Sequence, residues 1–170
     1  MNQLNGLRFD RATAFFRTKR ELRPLQVETL RFMQASADRA YARGIKLLRE
    51  NRLRIRLSEQ EALGNYIDGR VRRDLRERFN FAGIISSGPG PVRVNRREDD
   101  SSGRDRTFRR PDARVGEIAY DVTLTAKTLA TPQVRGFFNT DFQPSTVIVI
   151  RPSQLGAGST YAISRPEMKR

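Results

Sequence analysis

The chain of 170 residues contains no cysteine, no histidine and no tryptophan, and only four lysines. Without Cys or His there can be no zinc finger, no zinc deaminase, no thiol nucleophile and no disulfide. Without His, nucleases with a histidine general base or a histidine-metal motif are excluded, as are Ser-His-Asp hydrolases. No apolar run approaches the roughly 18 residues of a membrane span. No signal-peptide pattern opens the chain, so a soluble protein with no stable membrane association is expected. Neither GxGxxG nor GxxxxGK[ST] occurs, and so no nucleotide-binding loop is expected. Any catalysis must rest on Asp, Glu, Lys, Arg, Tyr, Ser or Thr. For cleaving phosphodiesters, that leaves Mg²⁺ or Mn²⁺ held by carboxylates as the obvious route.

Arginine is what the chain has in excess. Lys and Arg number 33 against 19 Asp and Glu, a net charge of +14, and 29 of the 33 are arginine. The excess is spread along the chain: 19 basic against 10 acidic residues in 1–85, and 14 against 9 in 86–170. The planar guanidinium suits bidentate phosphate contacts, so this balance favours a nucleic-acid partner. A basic surface meeting an acidic protein gives the same composition, and the two readings are compatible.

Residues 1–23 are basic and weakly patterned, with a TKRELR run of helical character. Pro24 suits the first turn of a long helix over about 24–50, whose apolar residues recur near helical spacing. Leu53–Leu57 alternates with arginine and is ambiguous. Ser58 and Glu61 form a capping-box signature for a helix running to about Phe79, with Leu63, Ile67, Val71 and Leu75 as its stripe. Ser86–Pro91 breaks the helix. Strands are expected over 92–94, 107–115 and 117–127, separated by a polar loop at 96–106. A short helix from Thr131-Pro132 to about Phe138 precedes Thr146–Ile150, an apolar strand of the kind covered on both faces. A last strand lies near 161–163. The order predicts an α/β (α+β) fold with a mixed central sheet, preceded by N-terminal helices.

In the stretch RRPDARVGEIAYDVTLTAKT, residues 109–128, two aspartates fall on adjoining strands. On an ideal strand over 117–127, Ile118, Tyr120, Val122, Leu124 and Ala126 point one way, and Asp121, Thr123, Thr125 and Lys127 the other. Aspartate is depleted in strands, and Pro111-Asp112 lies across a short connection. Asp112 and Asp121 can therefore approach one divalent cation. Lys127 stands about 20 Å from Asp121 along an ideal strand, beyond its reach unless the strand bends sharply.

An acid-bearing helix, strands carrying Pro-Asp and a second acid, then a helix and a buried strand resemble the PD-(D/E)xK nuclease superfamily. The resemblance implies an αβββαβ core over 58–170, with Asp112 and Asp121 as metal ligands. The family's lysine, two residues after the second acid, is replaced here by Thr123, itself a catalytic candidate for positioning the attacking water or stabilising the developing charge. Lys127 and Arg135 are the candidates for a relocated cation, and Gln133 for a phosphate contact. Arg110, in the arginine-rich loop, is a further candidate for docking substrate. For the helix acid, Glu59, Glu61 and Asp74 are available. Glu61 is accounted for by the cap, and Glu59 is preferred because family acids lie early in this helix.

More narrowly, DVTLTAKT…TPQVRGFF…VIVIRPSQLGAGSTYAI looks like the C-terminal toxin domains of contact-dependent growth inhibition and related polymorphic toxin systems. This resemblance implies a nuclease carried by a larger secreted or cell-surface effector. It would act in the target-cell cytoplasm, on RNA, with tRNA favoured, or on DNA. It also implies a cognate acidic immunity protein, and residues 1–57 as a helical delivery extension. A non-catalytic basic RNA-binding module is the alternative.

Overall fold

The computed structural model describes residues 3–102 and 107–167. Three helices come first: α1 (Gln3–Lys19), α2 (Arg23–Arg49) and α3 (Glu59–Phe81). Helix α2 opens with Pro24 in its first turn, where the missing N–H costs nothing. It turns Leu25, Met33, Ala37 and Ala40 inward. Gly44 lets α3 approach closely, since a Cβ there would overlap the Leu63 side chain. Helix α3 starts at Ser58, whose hydroxyl accepts a hydrogen bond from Glu61 N at 3.1 Å. Glu61 reaches back one residue further than a capping box requires, accepting from Leu57 N at 3.3 Å.

The strands are β1 (Val92–Val94), β2 (Glu98–Asp100), β3 (Thr107–Arg109), β4 (Ala113–Val115), β5 (Ile118–Val122), β6 (Thr146–Ile150) and β7 (Tyr161–Ser164). Helix α4 (Pro132–Phe138) lies between β5 and β6. The main sheet has the order β1-β4-β5-β6-β7, antiparallel except for the parallel β5–β6 pair. It is a mixed sheet in an α+β fold. The elements α3, β1, β4, β5, α4 and β6 follow one another as αβββαβ, with the β2–β3 hairpin inserted.

Four readings of the sequence are revised or settled. The strand expected over 107–115 divides into β3 and β4 at Arg110–Asp112, because Pro111 has no N–H to continue a ladder. Part of the expected loop at 96–106 is strand β2, and Gly103–Arg106 lie outside the described residues. Glu98 in β2 is buried and bound by Arg93 Nη1 at 3.2 Å and Arg114 Nη1 at 3.0 Å, which ties the hairpin to the main sheet. The ambiguous stretch 53–57 forms no strand and leaves Ile55 and Leu57 exposed.

The fourth change bears on function. Strand β5 ends at Val122, not at 127, and all five of its residues are buried. The expected polar face is covered by α4: Ala119 and Val147 pack with Val134, Phe137 and Phe138. On the other face Ile118, Tyr120 and Val122 join α1, α2 and α3 in one core. That core includes Phe9, Leu25 and Met33 together with Ile67, Val71 and Phe79, so no division in the packing falls at residue 58. Tyr120 completes the link by donating its phenol to Gln26 O at 2.8 Å. No helix of the described residues is long and apolar enough to cross a membrane.

Candidate active site

The site forms where β4 begins and β5 ends. Ala113 pairs with Tyr120, and continuing that register by one step sets Asp112 opposite Asp121. Asp112 N donates to Tyr120 O at 3.0 Å, and its Oδ2 accepts from Val122 N at 2.6 Å. Pro111 ends the preceding strand, so Asp112 sits at the first ladder position with its side chain held against the neighbouring backbone.

Asp121 is held by two groups that follow it in the chain and bond to each other. Lys127 Nζ lies 2.6 Å from Oδ2, Gln133 Nε2 donates to Oδ1 at 3.0 Å, and Lys127 Nζ also donates to Gln133 Oε1 at 2.6 Å. The chain bends after Val122, which brings Lys127 back to the acid. Arg151 fixes the bend by donating to Leu124 O at 3.1 and 3.0 Å. Tyr161 of β7 clasps Lys127 on both sides of its backbone: its hydroxyl accepts from Lys127 N at 2.6 Å and donates to Lys127 O at 2.7 Å. The 20 Å separation of an ideal strand is thus removed by a turn that a local pattern does not reveal.

Helix α3 brings a third carboxylate to the edge of this site. Asp68 is paired with Arg72 one turn later, and Arg72 Nε also lies 3.5 Å from Asp112 Oδ1. Arg72 therefore links the helix acid to the strand acid. Oδ1 of Asp68 is buried and has no hydrogen-bond partner among the described residues.

Glu59, the preferred helix acid, is not brought to the pair. It is exposed and borders a separate cavity with Tyr41, Ile45 and Leu48. Asp74 is occupied by Ser36 Oγ at 2.7 Å and Arg70 Nε at 3.5 Å. Thr123 exchanges a 3.2 Å hydrogen bond with Thr125 and does not bond to either aspartate. Arg135 is exposed on α4, and Arg110 is exposed with its guanidinium 5.5 Å from the Phe108 ring centroid. Sequence reasoning missed Asp68, Arg72, Arg151 and Tyr161. The i,i+4 spacing of Asp68 and Arg72 was the one available signal.

Burial pushes the Asp112 carboxyl up to about 6, against the lowering influence of the Val122 N–H, Arg72 and Lys127. Asp121 is also pushed up to about 6, first by burial and then by repulsion from Asp112, with Lys127 opposing. Two carboxylates that repel each other in a buried site remain undercompensated although Lys127 is in contact with one of them. Such a site gains from a further cation.

The donor set fits a hard divalent ion. The available ligands are the carboxylate oxygens of Asp112 and Asp121, which are hard donors. Among the described residues no group of three or more carboxylates is gathered closely enough to enclose a metal. Two carboxylates with the remaining positions taken by water and phosphate is the usual arrangement for Mg²⁺.

The chain matches no family model, no curated protein and no solved structure.

Proposed function

We propose that the protein is a metal-dependent nuclease that hydrolyses phosphodiester bonds in RNA, with tRNA the favoured substrate, and that it is the toxin domain of a contact-dependent growth inhibition or related polymorphic toxin system. The observation that carries the chemistry is the buried Asp112–Asp121 pair with Lys127 bound to one member. The toxin role rests on the resemblance of residues 58–165. With it go delivery by a larger effector, action in the target-cell cytoplasm and capture by an acidic immunity protein.

Asp112 and Asp121 would hold Mg²⁺ or Mn²⁺, which polarises a phosphoryl oxygen and lowers the pKa of an attacking water. Val122 N–H fixes the direction of the Asp112 carboxylate, and Gln133 fixes that of Asp121. Lys127, six residues after the acid and 2.6 Å from its Oδ2, would take the part of the family's lysine. Its ammonium, already turned into the site, stabilises negative charge developing on the phosphate and orients the water. Arg110 and Arg135 are exposed and free to dock the substrate backbone.

Incubation with total RNA and plasmid DNA, with Mg²⁺ or with EDTA, tests this reading on a gel. RNA is expected to be cut with Mg²⁺ and spared with EDTA. Asp112→Ala and Asp121→Ala are each expected to reduce cleavage at least a hundredfold. Normal cutting by both variants would overturn the site, and intact RNA bound in a salt-sensitive way would point to a non-catalytic RNA-binding module.

A further inference from the structure

Helices α2 and α3 approach so closely that a Cβ at Gly44 would overlap Leu63 and crowd Tyr66. Between them opens a cleft of about 160 Å³, lined by Arg39 and Arg43 from α2 and by Tyr66, Arg70 and Asp74 from α3. Arg39 and Arg43 are exposed and four residues apart, so they share one face of α2. Neither has a hydrogen bond or ion pair among the described residues. The acid of the cleft is already engaged. Asp74 accepts from the buried Ser36 hydroxyl at 2.7 Å and lies 3.5 Å from Arg70 Nε. Three guanidinium groups around one carboxylate leave positive charge in excess, which an anion would offset.

Size and lining choose among anions. The cleft is smaller than the roughly 300 Å³ at which small-molecule sites begin, so it seats one anionic group rather than a whole metabolite. Ala40 is the one aliphatic side chain among the described residues that line it, so it lacks the apolar core that a protein partner buries. A polar, strongly positive surface is what nucleic-acid interfaces present. The guanidinium fork also matches two phosphate oxygens at once.

The cleft and the carboxylate site lie on different faces of α3. Tyr66 and Arg70 are each two residues before Asp68 and Arg72, which is about 200° round the helix. Leu63, Ile67, Val71 and Leu75 fill the arc that faces the core. The solvent arc carries Gly69, Arg73 and Arg76, all exposed. Arg76 has no hydrogen bond or ion pair among the described residues, and Arg73 lies 3.9 Å from Glu77. Gly69 weakens the helix interior. A Cβ there would meet nothing within 4 Å, so no packing within the chain accounts for the glycine. A bare helix surface among arginines suits a strand whose backbone crosses close to it.

We infer that the exposed face of α3, from Gly69 and Arg76 to the cleft of Arg39, Arg43 and Arg70, is a docking surface for the phosphate backbone of a nucleic acid, separate from the carboxylates. It holds the strand away from the cut. A helix about 10–12 Å across spans at least about three nucleotides at roughly 3.4 Å each. That the docked strand is also cut rests on the nuclease reading; the docking itself does not.

The test measures binding of a fluorescein-labelled single-stranded RNA of about 20 nucleotides to the Asp121→Asn protein, by anisotropy between about 50 and 200 mM salt. Arg39→Ala/Arg43→Ala in that background is expected to weaken binding about tenfold or more. It should also lower the slope of log affinity against log salt by about 1.4, the share of two phosphate contacts on a single strand. Arg8→Ala/Arg11→Ala removes the same charge from exposed positions of α1 and is expected to change binding less than about threefold. Gly69→Gln should raise thermal stability and yet weaken RNA binding about threefold or more. In the protein with Asp121 intact, Arg39→Ala/Arg43→Ala should raise KM for this RNA about tenfold and leave kcat unchanged. Equal losses in the two double variants, or unchanged binding in Gly69→Gln, overturn the surface. So does polyglutamate that binds as tightly as RNA and is released by the same substitutions, which would mark a surface for an acidic protein. Loss of RNA binding in the variants, with no nucleic acid cut by the unmodified protein, keeps the surface and removes the nuclease reading. Unchanged RNA binding with cutting intact does the reverse.

Discussion

Asp112 and Asp121 are acids in a place that disfavours their charge, and this has a measurable sign. Both titrate near 3.8 in the ordinary state and about 6 in the fold. The folded protein therefore holds protons more tightly between those values. Its stability falls as pH rises from about 4 to about 6, and stays at the lower level above. Asp112→Asn keeps an oxygen to accept the Val122 N–H and removes a buried charge. It is expected to raise stability at pH 7.5 by roughly 1–3 kcal/mol, a gain that vanishes near pH 4, as measured by urea denaturation at the two pH values. The same variant should be inactive. A variant that loses stability at pH 7.5 would show that Arg72 and Val122 compensate the charge fully. If the charged form holds the proposed metal, cleavage by the unmodified protein should rise through about pH 6, and excess Mg²⁺ should move the midpoint lower.

At the scale of elements, the turn after β5 and strand β7 together decide what Lys127 can do. Tyr161→Phe removes one hydroxyl that serves both sides of the Lys127 backbone. It is expected to cost about 1 kcal/mol of stability. Cleavage should fall further than that loss of fold explains, by about tenfold in kcat with KM little changed, because the ammonium is displaced while Asp112 and Asp121 stay. Lys127→Ala should show the same pattern more strongly, whereas a rise in KM alone would make Lys127 a docking residue. On the opposite edge of the sheet, Glu98→Leu leaves Arg93 and Arg114 partly buried without their shared acid. A loss of about 3 kcal/mol is expected in a denaturation experiment.

Across the whole molecule, the N-terminal helices share one core with the sheet. Phe9 packs against Phe32 and Phe79 with ring centroids 6.0 and 5.7 Å apart. A chain beginning at residue 58 would expose Leu63, Ile67 and Val71 where α2 now covers them, and is expected not to fold, which circular dichroism and proteolysis would show. A stable, folded fragment 58–170 would instead make the first two helices a separable extension. The distributed +14 charge predicts nucleic-acid binding whose logarithm falls linearly with the logarithm of salt, losing on the order of a thousandfold between 50 and 200 mM. A flat salt response would remove the electrostatic account of binding.

Much of this architecture is legible along the chain because its signals are local. Pro24 and Ser58 mark where helices start, the run Thr146–Ile150 has the composition of a strand covered twice, and Pro111-Asp112 with Asp121 names two acids of the site. What was not legible depends on groups far apart in sequence. The end of β5 at Val122 is set by the bend that Arg151 and Tyr161 hold, so a pattern of alternation read past it as though the strand continued. Asp68 lies on α3 among other charges, and only packing beside Asp112 distinguishes it from Glu59, which the same helix leaves in solvent. Composition by itself determined that histidine and thiol chemistry, and zinc sites built on those ligands, are absent and that the chain is basic, since those follow from which side chains exist. Tertiary structure alone decided which of the candidate charges meet. A carboxylate is perturbed, and a lysine positioned, by neighbours in space, and neither effect has a period in the sequence.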